Sequence, residues 1–138
     1  MQAFVDTDVV ISSLLSQKGA AYYLLNKSKT KLFISSISLL EINQVSERLK
    51  IDKADLENIT RHNLQIIEIS EELKTIKDKY KKFVTDINDA HIVAGTHLSK
   101  SNYIISYNLR HFKIDRMKNE LGIMILTPAL FLQFLRTN

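Results

Sequence analysis

Short runs of apolar and β-branched residues alternate along the chain with longer segments in which apolar positions recur at a helical spacing. The short runs predict strands, and the longer segments predict amphipathic helices. The strand candidates are AFV (3–5), KLFIS (31–35), LQIIEI (64–69), NYIIS (102–106) and IMIL (123–126). The helix candidates lie near 9–16, 20–28, 37–49, 53–63, 71–82, 87–99 and 128–136. The run 64–69 fits a strand and the extension of a helix equally well.

This alternation predicts an α/β fold, a single three-layer α/β/α domain with a mostly parallel central sheet. The chain has 138 residues and neither a repeat nor a Ser- or Pro-rich linker, so one domain over 1–138 is expected. In such sheets ligands bind at the carboxyl ends of the strands. Asp6 follows the first strand, Ser35 the second and Ser106 to Asn108 the fourth, which places polar residues at that edge.

The amino-acid composition excludes several kinds of site and of protein. The chain has no cysteine, which excludes disulfides and thiolate zinc sites and favours a reducing cytoplasm. No apolar run approaches the roughly 20 residues of a membrane span, and the N-terminus lacks a signal-peptide pattern. The net charge of +4 and the pI near 9.3 favour a polyanionic partner. Basic residues cluster at 26–31, 74–82 and 109–118, although each cluster also fits a solvated surface.

Three acids stand where a core gains nothing from a charge. Asp6 ends a near-buried strand, where a divalent cation would offset the cost of burial; the alternative is an N-cap for the next helix. Asp8 precedes VVISSLL and fits an N-cap or a member of the site. Glu41 borders the apolar stripe of helix 37–49. A capping box formed by Ser38 and Glu41 is the structural alternative to a role as a metal ligand.

The segment TDINDAHIVAGTHL (85–98) contributes two more acids. Asp86 fits an N-cap, and Asp89 lies in the first helical turn before an Ala- and Gly-containing helix that would pack closely on the sheet. His91 and His97 share no helix face, so they are interpreted as structural or surface histidines. Asn108, just past the fourth strand, fits a turn residue or a group that orients a water or a carboxylate.

Taken together, these segments resemble the PIN-domain ribonucleases, including the VapC-type toxins of toxin–antitoxin pairs. FVDTDVVISSLLS resembles the strand–Asp–helix opening of the family, and ISSISLLEINQV resembles its serine-then-Leu-x-Glu segment. DINDAHIVAGTHL is similar to the stretch with the third acid, YIISYNLRHF to the Thr-x-Asn/Asp stretch, and IMILTPALFLQFL to the common ending. The order and spacing of the five segments carry the resemblance over nearly the full chain.

The resemblance implies a metal-dependent endoribonuclease in which Asp6, Glu41 and Asp89 are the acidic metal ligands. Asn108 takes the place of a fourth residue that is often Asp, and Asp86 and Asp8 are auxiliary ligand candidates. Two positions depart from the family pattern: Asp8 stands where relatives commonly carry Asn or Ser, and Asn108 removes one negative charge. The oxygen donors suit Mg²⁺ or Mn²⁺.

The expected partners are RNA, a cognate antitoxin protein and a second copy of the chain in a homodimer, with no membrane association. Basic residues on helices near 74–82 and 110–118 would guide the RNA backbone, in particular Lys81, Lys82, Arg110 and Lys113. Two alternatives remain open. One is a PIN-like module that binds RNA or protein without catalysis, and the other is a haloacid-dehalogenase-type phosphatase with Asp6 as nucleophile and Asp8 as acid and base.

Overall fold

The computed structural model describes residues 1–137 and contains one five-stranded parallel sheet flanked by helices, which confirms the predicted α/β/α fold. The strands lie in the order β3-β2-β1-β4-β5. Their bounds are Gln2–Val5 (β1), Lys31–Ser35 (β2), Gln65–Ile67 (β3), Tyr103–Ile105 (β4) and Met124–Leu126 (β5). Every pair is parallel, with Phe4 of β1 opposite Phe33 on one side and Ile104 on the other.

Eight α-helices connect the strands or follow them in residues 1–137. They are Thr7–Leu15 (α1), Ala20–Asn26 (α2), Ser36–Arg48 (α3), Lys53–His62 (α4), Leu73–Tyr80 (α5), Ala90–Leu98 (α6), Ile114–Leu121 (α7) and Pro128–Thr137 (α8). Short 3-10 turns lie at Lys81–Phe83, Ile87–Asp89 and Leu109–His111. None of these helices is both long and apolar enough to cross a bilayer.

Alternate side chains of the strands supply two hydrophobic cores, one on each face of the sheet. Val5 and Ile105 pack against one set of helices, while Phe4 and Ile104 pack against the other. Helix α6 lies very close to β1, because a Cβ added at Gly95 would come within 2.5 Å of the Phe4 ring. This close approach brings the first turn of α6 over the sheet edge where β1 ends.

Three element boundaries differ from the sequence prediction. The run 64–69 is a strand only over Gln65–Ile67, and the alternative helical interpretation is wrong. The predicted helix 87–99 is divided into a 3-10 turn at Ile87–Asp89 and α6. The basic helix expected near 110–118 begins only at Ile114, because the preceding 3-10 turn and an isolated bridge between Val84 and Phe112 occupy the first positions.

The strand order reverses between β1 and β4. The chain builds β1, β2 and β3 outward in one direction and then returns to place β4 and β5 on the other side of β1. Neighbouring parallel strands whose connections leave in opposite directions open a crevice at their carboxyl ends, where ligands bind in this class of sheet. Asp6 follows β1 and Ser106 follows β4, so both residues lie at this crevice.

Candidate active site

Asp6 is buried at the end of β1, with 9% of its surface exposed. Its Oδ1 accepts a 2.8 Å hydrogen bond from the Thr7 backbone N–H, and its Oδ2 accepts one of 2.8 Å from the Ser106 hydroxyl. Asp6 is also the N-cap residue of α1. Burial raises the pKa of its carboxyl, and the nearby Glu41 raises it further, whereas the two hydrogen bonds oppose the shift. The hydrogen bonds therefore offset only part of the cost of burying this carboxylate at the crevice.

Asp8 lies inside the first turn of α1, so its predicted role as the N-cap is wrong and Asp6 occupies that position. The Asp8 Oδ2 atom accepts hydrogen bonds from the Tyr107 backbone N–H at 3.0 Å and from the Asn108 amide at 2.9 Å. Its Oδ1 atom is buried and has no hydrogen-bond partner among the residues that the structure describes. Burial, followed by the charge of Asp6, raises the pKa of Asp8 to about 6.

Glu41 projects from the second turn of α3. Ser35 is the N-cap of this helix and accepts a 3.0 Å hydrogen bond from the Ser38 N–H, so the capping box predicted for Ser38 and Glu41 is wrong. The Glu41 carboxylate therefore does not cap the helix and extends across the crevice. There its Oε1 lies 2.6 Å from Nε2 of His91, and its Oε2 accepts a 3.4 Å hydrogen bond from the Thr7 hydroxyl.

Two histidines contact the acids, and the sequence indicated neither contact. His91 is buried, as a structural histidine would be, but it pairs with Glu41. The Nδ1 of His111 lies 3.2 Å from Oδ2 of Asp89. Burial raises the pKa of Asp89 while the His111 ring lowers it. The one sequence feature that relates His111 to the site is its position three residues after Asn108, in the turn that follows β4, and this position does not predict the contact with Asp89. His97 is exposed, in agreement with its surface interpretation.

One cavity of about 510 Å³ is lined by five of the six residues predicted as metal ligands or catalytic groups. Its polar lining comprises Asp6, Thr7, Asp8, Ser12, Ser16, Glu41, Asp89, Asn108 and His111, and its apolar wall consists of Ile11, Leu15 and Val45. Asp86 does not line the cavity. It is exposed, and its carboxylate caps the 3-10 turn by accepting a 2.9 Å hydrogen bond from the Asn88 N–H. The cavity thus brings together acids from three separate segments of the chain.

The donors in the cavity fit a hard divalent cation in chemistry, since carboxylate and amide oxygens are the ligands that Mg²⁺ and Mn²⁺ favour. Within residues 1–137, however, no group of three or more His, Asp or Glu stands close enough to hold an ion. The acids are directed toward hydrogen-bond donors instead: Glu41 toward His91, Asp89 toward His111 and Asp8 toward Asn108. Clustered carboxylates repel one another, and these donors relieve part of that repulsion.

The two basic segments expected to contact RNA meet beside this cavity. The bridge between Val84 and Phe112 pairs them, and the Lys113 N–H donates a 2.9 Å hydrogen bond to the Phe83 carbonyl. The predicted residues Lys81, Lys82, Arg110 and Lys113 are all exposed. Lys82 is engaged, with Nζ 2.9 Å from Oε1 of Glu120. The other three make no ion pair with the residues that the structure describes.

The chain matches the family model described as PIN domain over residues 2–110, whereas no curated protein sequence matches it. Among solved structures it is similar to VapBC2 from Rickettsia felis bound to a promoter DNA fragment, with a TM-score of 0.60, 16% identity and coverage of 91% of this chain and 97% of that chain. A toxin–antitoxin complex from Klebsiella pneumoniae gives a TM-score of 0.63 at 22% identity, with the same coverage of 91% and 97%. VapC20 of Mycobacterium tuberculosis, a sarcin–ricin loop cleaving toxin, gives a TM-score of 0.54 at 15% identity, with coverage of 74% and 86%. The chain therefore belongs to the PIN domain family, as its sequence motifs indicated.

Proposed function

We propose that the protein is a Mg²⁺- or Mn²⁺-dependent endoribonuclease and the toxin of a toxin–antitoxin pair, acting in the cytoplasm. The observation that carries the proposal is the convergence of Asp6, Asp8, Glu41 and Asp89 on one cavity at the crevice between β1 and β4. Membership of the PIN domain family and the fold shared with VapC toxins support it. Because the chain belongs to the PIN domain family, the haloacid-dehalogenase interpretation is not retained.

The residues of the cavity would divide the work of phosphodiester hydrolysis. Asp6, Glu41 and Asp89 would hold the divalent ion, with Asp8 as an auxiliary ligand and Asn108 holding Asp8 in place. When bound, the ion supplies the positive charge that activates water and neutralises charge on the reacting phosphate. Glu41 or Asp89 would accept the proton of the attacking water. General-base catalysis of this kind contributes about 10²–10⁴-fold to the rate.

The RNA backbone would approach across the joined basic segments. Lys81, Arg110 and Lys113 are exposed and unpaired with the described acids, so they are free to contact phosphates. Arg110 and His111 belong to the turn that also contributes Asn108 to the neighbourhood of the cavity. An RNA strand bound on this basic surface would therefore extend toward the acidic cavity. There the divalent ion would offset the repulsion between the RNA phosphate and the carboxylates.

The test is RNA cleavage with Mn²⁺ by the unmodified protein and by two matched variants. Asp6→Asn removes a carboxylate that would hold the ion, and because the ion would stabilise the transition-state charge by several kcal/mol, kcat should fall at least about 100-fold. Asp86→Asn removes a carboxylate outside the cavity and should keep activity, because Asn caps a turn about as well as Asp. Equal loss in both variants, or cleavage that continues in Asp6→Asn, would refute the assignment of the cavity as the active site.

An antitoxin would occupy the same cavity. Its acidic floor and its apolar wall of Ile11, Leu15 and Val45 fit a segment that presents one cationic side chain beside apolar ones. Expression of the protein alone should arrest bacterial growth, and co-expression of a short neighbouring gene product should restore it. Growth arrest that persists in Asp6→Asn would contradict the toxin role.

The non-catalytic module remains the second candidate. It is favoured by the engagement of the Glu41 and Asp89 carboxylates with histidines and by the lack of a ready ion cluster in residues 1–137. Its signature would be RNA binding that is unaffected by Mn²⁺ and by Asp6→Asn, with all RNA left intact.

A further inference from the structure

The Glu41 carboxylate is held at both oxygens by residues from two other elements. Nε2 of His91 lies 2.6 Å from Oε1, and the Thr7 hydroxyl donates to Oε2 at 3.4 Å. The Glu41 side chain is otherwise free to move, because 44% of its surface is exposed. A glutamate has several rotatable bonds, so a donor on each oxygen selects one direction from many.

His91 is poorly suited to the task of merely filling space in the core. The ring is buried, with 5% of its surface exposed, and its Nδ1 atom has no hydrogen-bond partner among residues 1–137. An unpaired buried polar atom costs about 1–3 kcal/mol. An apolar side chain of similar size would avoid this cost. The ring makes one polar contact, with Glu41, and this contact is what a histidine provides here and an apolar residue would not.

We propose that His91, assisted by Thr7, is a positioning residue that fixes the orientation of the Glu41 carboxylate in the cavity that Asp6 and Asp89 also line. The inference rests on the proposed metal-dependent function and adds a role for a histidine that the sequence motifs do not assign. A carboxylate offers about four lone-pair sites. Both oxygens can therefore keep these hydrogen bonds and still face a cation. Partners that orient a ligand in this way typically change metal affinity by about 10–100-fold.

The location of His91 supports the same role. It lies two residues after Asp89 in the first turn of α6, and the close packing of this helix on β1 fixes the ring beside the cavity. The ring therefore follows one predicted ligand, Asp89, closely along the chain and contacts another, Glu41.

The experiment compares His91→Gln with His91→Met by Mn²⁺ titration calorimetry. The two replacement side chains have nearly the same length and volume, but only Gln carries an N–H that can reach Glu41 from the position of Nε2. We expect His91→Met to weaken Mn²⁺ binding about 10–100-fold and the affinity of His91→Gln to stay within about threefold of that of the unmodified protein. Urea denaturation of both variants separates this effect from general loss of structure. If His91→Met does not fold, a comparison of Thr7→Val with Thr7→Ser provides the same test, and Thr7→Val is expected to weaken Mn²⁺ binding.

The outcomes separate this inference from the proposed function. If the unmodified protein binds Mn²⁺ and cuts RNA but His91→Met binds Mn²⁺ as tightly as His91→Gln, the positioning role is wrong and the nuclease proposal stands. If His91→Met weakens Mn²⁺ binding, His91→Gln keeps it, and none of the three proteins cuts RNA, the positioning role stands and the nuclease proposal is wrong. If the unmodified protein does not bind Mn²⁺, both proposals are wrong.

Discussion

Replacement of Asp8 with Asn is expected to stabilise the metal-free protein at neutral pH. The carboxylate is partly buried, faces the charge of Asp6 and leaves Oδ1 without a partner. An Asn side chain has the same shape, and its carbonyl can still accept the hydrogen bonds from Tyr107 and Asn108. The substitution therefore removes the charge and keeps the contacts.

The size of the gain follows from the pKa of Asp8, which rises from 3.8 to about 6. At about 1.4 kcal/mol per pKa unit, a shift of about two units sets a ceiling near 3 kcal/mol. Solvent screens part of this penalty because Asp8 is only partly buried, and we expect about 1–2 kcal/mol at pH 7.5. For a chain of this length that corresponds to a rise in Tm of roughly 3–8 °C.

The sign of the pH dependence distinguishes this effect from improved packing. Asp8 binds its proton more tightly in the folded protein than in the unfolded chain. Between pH 4 and pH 6 the folded state therefore holds more protons than the unfolded state. The free energy of unfolding of the unmodified protein consequently falls, through Asp8, as the pH rises through this window. The advantage of Asp8→Asn should be present in full above about pH 7 and should vanish near pH 4.

Thermal and urea denaturation at pH 7.5 and pH 4, without metal, measure both quantities. Glu47→Gln is the control, since it removes one negative charge from the exposed surface of α3 and keeps the same change in net charge. No gain at pH 7.5, or an equal gain at both pH values, would refute the argument. Saturating Mn²⁺ should reduce the advantage of Asp8→Asn if Asp8 contributes to binding the ion.

Four further outcomes are expected. Mn²⁺ at millimolar concentration should raise the Tm of the unmodified protein, and an insensitive melt would count against the metal site. Gly95→Ala should cost about 1–3 kcal/mol in urea denaturation, because its Cβ would lie 2.5 Å from the buried Phe4 ring; a change below about 0.5 kcal/mol would contradict the described packing. Ser106→Ala removes the hydroxyl donor of Asp6 and should cost about 1–3 kcal/mol at pH 7.5, and less at low pH, where Asp6 is protonated; a loss equal at both would exclude this explanation. Neutralising Lys81, Arg110 and Lys113 together should weaken RNA binding and flatten its salt dependence, as measured by fluorescence anisotropy from 50 to 200 mM salt; an unchanged slope would mean that RNA follows another surface.

The strands were predictable because each is a short apolar run, and the interior ones are buried on both faces. β1, β2 and β4 pair at the centre of the sheet, where apolar side chains are needed above and below it. The sequence signal weakens at the edge. Gln65 and Ile66 of β3 are exposed, so the pattern of 64–69 could not separate a strand from a helix.

Helix α7 was placed wrongly for a related reason. Met117 is its buried residue, while Ile114 is 42% exposed. Its start is set by contacts with a distant segment, since Lys113 is tied to Phe83 and Val84 bridges Phe112. A basic amphipathic pattern predicts that a helix is present. It does not predict the first residue of that helix when contacts with a distant segment determine it.

The acids of the cavity could be found from the sequence because their positions violate the local pattern. A carboxylate at the end of a buried strand, as at Asp6, is costly even when it caps the next helix, and strand order then brings Asp6 near the end of β4. The partners of these acids could not be found in the same way. Glu41 and His91 are 50 positions apart, and only the packing of α3 and α6 over the sheet brings them to 2.6 Å. The local sequence pattern therefore locates the carboxylates, whereas the tertiary fold determines which hydrogen-bond donors orient them. The matched His91 variants test one of these tertiary contacts, which the sequence alone could not predict.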